Sequence, residues 1–161
     1  MYIEGRYWNN FIGDTDDSLT LVDYLADKRK EEIPLSEIFS DTGLDRQGWQ
    51  FRESGMLEYQ DREGCLPEFH YAIDLVADLA ALLLECRVSG SVSLEELQGG
   101  DGGPVSRVRI TATEDEMTRM NQALSDFVFA PLDYDLSEMC SEEEMRKLAE
   151  VCADLIRELF R

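Results

Sequence analysis

His70 supplies the only imidazole in the chain, so a nucleophilic catalyst of Ser/His/Asp or Cys/His type would have to use it. Cys65 lies five residues upstream. On an extended strand an odd offset puts two side chains on opposite faces, so this pair cannot act as nucleophile and base unless a bulge shifts the register. A structural or surface histidine is the expectation. Asp14-x-Asp16-Asp17 is a second candidate, because clustered carboxylates bind Mg²⁺ or Ca²⁺. A calcium loop starting at Asp14 would need glycine where Leu19 stands and glutamate where Leu25 stands, and both are core-type leucines. Helix capping and dipole complementation account for the cluster without a metal. Cys65, Cys86, Cys140 and Cys152 form no C-x-x-C pair, and one histidine leaves a tetrahedral zinc site hard to assemble. They read as reduced thiols, Cys86 and Cys152 within apolar helical patterns. The glycine-rich run Gln98-Gly99-Gly100-Asp101-Gly102-Gly103-Pro104 lacks the phosphate-loop pattern and no helix directly follows it, which favours a hairpin tip over a phosphate cradle. No metal, cofactor or catalytic residue is assigned, and 35 acidic residues single out no acid and base pair for a hydrolase.

The elements that position these residues are legible in part from periodicity. Tyr2-Ile3-Glu4-Gly5-Arg6-Tyr7-Trp8 is aromatic and β-prone and predicts an opening strand. Asp14 to Ser18 supplies caps for a helix carrying Leu19, Leu21, Val22 and Leu25, which fades at Lys28-Arg29-Lys30. Pro34 opens a short helix through Leu35, Ile38 and Phe39, closed by Gly43. Strand-like pieces at 56–60 and 66–71 around Asp61-Arg62-Glu63-Gly64 predict a hairpin, with Pro67 placing the second strand at an edge or after the proline. Ala and Leu at helical spacing over 73–86 predict the most buried helix. Alternation predicts strands at 88–94 and 105–111, the latter with its arginines on one side. Thr113/Glu116 and Ser141/Glu144 are capping boxes ahead of two further amphipathic helices. The expected class is α+β, one domain over 1–161, with a mainly antiparallel sheet packed against several helices.

Charge sets the class of partner. The chain has 161 residues and a formal charge of −20, with a hydrophobic fraction of 43% that is ample for a core. Such a field repels phosphate backbones and anionic membranes, and attracts basic proteins. The most apolar stretch, 75–84, contains Asp78 and is far short of the ~20 residues a membrane span requires. The opening residues lack the pattern of a signal peptide, so a cytoplasmic location is expected. Some acids sit in first helical turns and serve the helices. Glu95, Glu96 and above all Asp133, Asp135 and Glu138 lie in or beside connections, and with Tyr134 as apolar anchor they are the expected partner-binding residues. The competing reading is a solvated acidic loop with Tyr134 packed on the core.

Small size, cytosolic character, acidic α+β makeup and the absence of a catalytic motif resemble bacterial immunity proteins of polymorphic toxin systems. Tyr7-Trp8-Asn9-Asn10-Phe11-Ile12-Gly13-Asp14 and Pro131-Leu132-Asp133-Tyr134-Asp135 are distinctive enough to mark a single family. The resemblance implies stoichiometric, non-enzymatic inhibition in which an acidic face covers the basic substrate cleft of a toxin, often a nuclease. A structural or regulatory interaction protein without a toxin partner, or a hydrolase using carboxylates, remain the alternatives.

Overall fold

Thr15 starts the first helix, α1 (Asp16–Lys28): its Oγ1 accepts the Ser18 N–H at 3.2 Å while the Ser18 hydroxyl reaches back toward the Thr15 N–H. Arg29 ends it in the left-handed conformation, just after the cation at Lys28. Strand β1 (Glu32–Pro34) leads directly into helix α2 (Leu35–Thr42), which closes on Gly43 at φ +92°. The hairpin is present as β2 (Leu57–Glu58) and β3 (Glu68–Phe69), antiparallel, with Leu57 opposite Phe69 and the second strand starting after Pro67. Helix α3 (Ala72–Ser89) follows, then β4 (Val92–Ser93), the one-turn helix α4 (Leu94–Gln98), β5 (Arg107–Thr111), α5 (Glu114–Phe129) and α6 (Glu142–Leu159). The computed structural model describes residues 1–98 and 105–161, so the glycine-rich run expected as a hairpin tip lies outside the described residues at 99–104. Both later capping boxes form, each with N-cap hydroxyl and third-residue glutamate engaged reciprocally.

The class is α+β. Strand β5 is the centre of a three-stranded sheet, parallel to β1 (Ile33 opposite Ile110) and antiparallel to β4 (Val92 opposite Val108). Its Val108 and Ile110 face the core while Arg107 and Arg109 face out, as the period-two pattern requires. Helix α3 packs against α1, α5, α6, β4 and β5, and every residue from 72 to 85 is buried. A helix enclosed on all sides has no solvent stripe, which is why it is built from Ala, Leu and Val rather than from an amphipathic repeat.

Two expected strands are corrected. Residues 88–89 complete the last turn of α3, and Gly90 at φ +86° ends it, so only Val92–Ser93 pairs with β5. The opening strand is replaced by a chain of tight turns with isolated bridges between Glu4 and Trp8 and between Trp8 and Ile12. Gly5, Asn9, Phe11 and Gly13 all have φ between +65° and +80°, which an extended strand excludes. The aromatics are still core residues, with Ile3, Tyr7, Trp8 and Ile12 all buried, but they pack from a coiled segment. Gly13 lies flat beneath the indole of Trp8, where a Cβ would stand 2.3 Å from the ring.

Two glycines of similar φ therefore separate backbone strain from packing. Gly5→Ala meets no atom within 4 Å and should cost about 1–2 kcal/mol, the usual penalty of a left-handed non-glycine. Gly13→Ala adds the collision with Trp8, for a total of roughly 2–5 kcal/mol. Urea denaturation of both variants measures the difference, and equal losses would show that the indole yields freely.

Candidate functional site

The start of α3 is where four parts of the chain meet. Asp17, buried on α1, accepts the backbone N–H of His70 at 2.9 Å with one oxygen and that of Tyr71 at 2.9 Å with the other. The same carboxylate faces His70 Nδ1 at 3.0 Å, while the imidazole itself is 62% exposed. Ser54 Oγ accepts the Ala72 N–H at 2.8 Å, and the Ser54 N–H is in turn held by Asp135 Oδ2 at 2.9 Å. The start of α3 is thus tied to α1, to the 49–54 turns and to the connection between α5 and α6.

Above these ties lies a cleft of about 340 Å³, whose walls include Asp17, His70, Tyr71, Asp74, Met139 and Cys140. It brings a thiol, an imidazole and a carboxylate into one recess, a combination the Cys65 argument did not contain. Cys65 is exposed elsewhere, and His70 is engaged by Asp17. Burial pushes the Cys140 thiol up from its ordinary pKa, and the carboxylates of Glu144, Asp74 and Asp14 push it further. A nucleophilic cysteine needs a cationic setting that lowers its pKa, and this one has the opposite. Among the described residues no group of three or more His, Cys, Asp or Glu side chains is placed to hold a metal ion. Asp14 and Asp16 are exposed at the helix entrance and Asp17 spends its oxygens on backbone N–H groups. What the cleft offers chemically is an apolar wall with the exposed carboxylate of Asp16 at its edge, suited to the stem and head of a lysine or arginine.

The connection between α5 and α6 runs as two short 3₁₀ turns, Pro131–Asp133 and Asp135–Glu138. Its residues divide by direction. Tyr134 is 3% exposed, its ring set edge-on to Phe127 at 5.0 Å, with the Arg52 guanidinium 5.9 Å over the ring centre. The Asp135 N–H donates to Arg52 O at 2.9 Å, its Oδ2 holds Ser54, and its Oδ1 is buried without a partner. Asp133 and Glu138 face solvent. Glu95 and Glu96 are also exposed, but on α4, which packs on α1 and β5, whereas the connection packs on α5 and α6. The six expected residues therefore fall into an inward pair that fixes the connection, an outward pair on it, and a separate pair on α4.

A family model described as Immunity protein 68 matches the chain over residues 2–159. The chain belongs to that family. No curated protein and no solved structure matches it. The match spans both segments that the sequence marks as distinctive, the turn-rich opening and the connection after Pro131. Within this Immunity protein 68 member the residues that sequence reading missed are the buried acids of α3. Asp74 accepts the Thr15 hydroxyl at 2.7 Å, and Asp78 accepts the Gly13 N–H at 3.0 Å and the Ser18 hydroxyl at 2.7 Å. Glu85 accepts the Ile3 N–H at 3.0 Å. Their signal was available: acids at i, i+4 and i+11 on one face of an otherwise apolar helix point to a buried polar network.

Burial raises the pKa of Asp74 to about 7, with Asp17 and Asp14 adding to the rise. Burial raises Asp78 well above its ordinary value, with Asp74 as the next contributor. Carboxyls held protonated in the fold but ionised in the unfolded chain above about pH 4 give the fold the greater proton uptake. Their contribution is complete below that pH and is lost as pH rises through about 7. Asp78→Asn keeps an oxygen for the Gly13 N–H and carries no proton to lose. It should flatten the fall in stability between pH 5 and 7 by up to about 1.4 kcal/mol per pH unit. Glu150→Gln, an exposed position on α6, controls for removing one surface charge. Parallel pH profiles for the two variants in chemical denaturation would show that Asp78 ionises as freely as a surface acid.

Proposed function

We propose that this immunity-family chain neutralises a cognate toxin by binding it as a stoichiometric inhibitor in the cytoplasm, its acidic α5–α6 connection meeting a basic surface on that toxin. The observation that carries the reading is the division of labour within 131–138. Tyr134 and Asp135 anchor the segment to Phe127, Arg52 and Ser54, while Asp133 and Glu138 are left facing solvent on a frame that has little freedom to lose on binding. The formal charge of −20 supports a cationic protein over nucleic acid or an anionic membrane, since it attracts the first and repels the others. No described helix is long and apolar enough to cross a membrane. The neighbouring cleft, with the exposed carboxylate of Asp16 beside apolar walls, is a receptor for one basic side chain of the same partner.

Co-expression with the products of the genes flanking this chain's own, among which the reading expects a toxin domain, provides the test. The wild type should rescue growth and co-purify with that domain. Asp133→Asn with Glu138→Gln should slow association roughly 3- to 10-fold at low salt, with the difference closing at high salt, because rim charges act through screened long-range steering. Absence of a complex, or association that ignores salt, would overturn the reading.

A further inference from the structure

We propose that Phe129 and Leu132 form the apolar anchor of this interface, seated in an apolar pocket of a partner protein whose rim is basic. The inference rests on the toxin-binding reading above and supplies the part it lacks, since Tyr134, the aromatic of the segment, is enclosed by the fold.

Phe129 is 91% exposed in the last turn of α5, on the side opposite the buried Met120, Leu124 and Phe127. Leu132, three residues on in the first 3₁₀ turn, is 41% exposed. One exposed apolar side chain needs no explanation, but two within three residues of each other on a fastened frame make a candidate apolar anchor. The frame is fastened on both sides: Ala130 N–H closes on Asp126 O at 3.1 Å, and Asp133 N–H on Ala130 O at 3.1 Å. Tyr134 and Asp135 then bind the segment to the body of the protein. A backbone held in this way has little freedom to lose on binding, which favours the side chains it carries as anchors of an interface.

Charge selects the occupant. Asp126 shares the Phe129 side of α5 three residues back, and Asp133 and Glu138 follow along the connection, all exposed. A second copy of the chain would bring the same acids and another −20 charges against them, which opposes self-association. A partner with cationic groups around an apolar pocket satisfies both features at once. The acids then govern the rate of encounter, and Phe129 with Leu132 governs the lifetime of the complex.

The probe is the flanking-gene product that this chain neutralises in co-expression, purified and immobilised, with association and dissociation followed at two salt concentrations. Phe129→Ser with Leu132→Ser should raise the dissociation rate on the order of 100-fold and leave association nearly unchanged. Leu66→Ser, another exposed leucine, should behave as wild type. Both positions lie at the surface, so an unchanged melting temperature is expected and confirms that the loss is one of contact. Wild-type binding with an unaltered dissociation rate in the double variant overturns the anchor and leaves the toxin-binding reading standing. Failure of the wild type to bind removes that reading and the anchor with it. A wild type that sediments as a dimer, with the double variant a monomer, assigns the patch to self-association and overturns the proposal.

Discussion

Helix α3 carries its acids into the core, and the rest of the structure is arranged around satisfying them. A carboxyl taken out of water is costly unless it is hydrogen-bonded. Asp74, Asp78 and Glu85 find their donors in the opening segment and the start of α1: Thr15, Ser18, Gly13 and Ile3. The dependence is mutual. The turns of the first thirteen residues satisfy most of their own backbone N–H groups, but those of Ile3 and Gly13 point inward and are accepted by Glu85 and Asp78 of α3. Two poorly solvated sets of groups, each unfavourable alone, are matched across the core.

What was legible in the chain follows from the range of the interactions involved. The capping boxes at Thr113 and Ser141 are three-residue devices, complete within their own window, and both form. The arginine-bearing strand at 107–111 was equally plain, because alternation is a local pattern. The opening aromatics misled because β-prone residues suit any half-buried surface, and four left-handed positions in nine residues outweighed that preference. Asp17 shows the same limit from the other side. Read locally it belongs to a helix entrance, yet its oxygens hold backbone groups 53 and 54 residues away. The parallel pairing of β1 with β5 could not be foreseen from three residues of which the last, Pro34, reads only as a helix opener.

At the candidate site the limit is one of direction. Composition marked 131–138 as acidic with an aromatic, which is sound as far as it goes. Whether a tyrosine in such a run turns in or out depends on Phe127 and Arg52, which lie on other elements. The acids of this chain therefore fall into populations with separate physics. Those of the first helical turns complement dipoles. Those of α3 and Asp17 fasten backbone N–H and hydroxyl groups inside the fold, and those left on the connections shape the outer field.

The opening segment also imposes an order in time. Ile3 and Gly13 wait for acceptors on α3, and the phenols of Tyr2 and Tyr7 donate to Glu158, near the end of α6. A ribosome adding about 5–20 residues per second would finish those acceptors many seconds after the donors emerge. Residues made well before α3 and α6 are thus among the last to settle, and the nascent chain carries an apolar stretch containing Ile3, Trp8 and Ile12 without its native partners throughout that interval. For a member of this family, the delay separates the synthesis of the opening segment from the moment at which the chain can act as a folded unit.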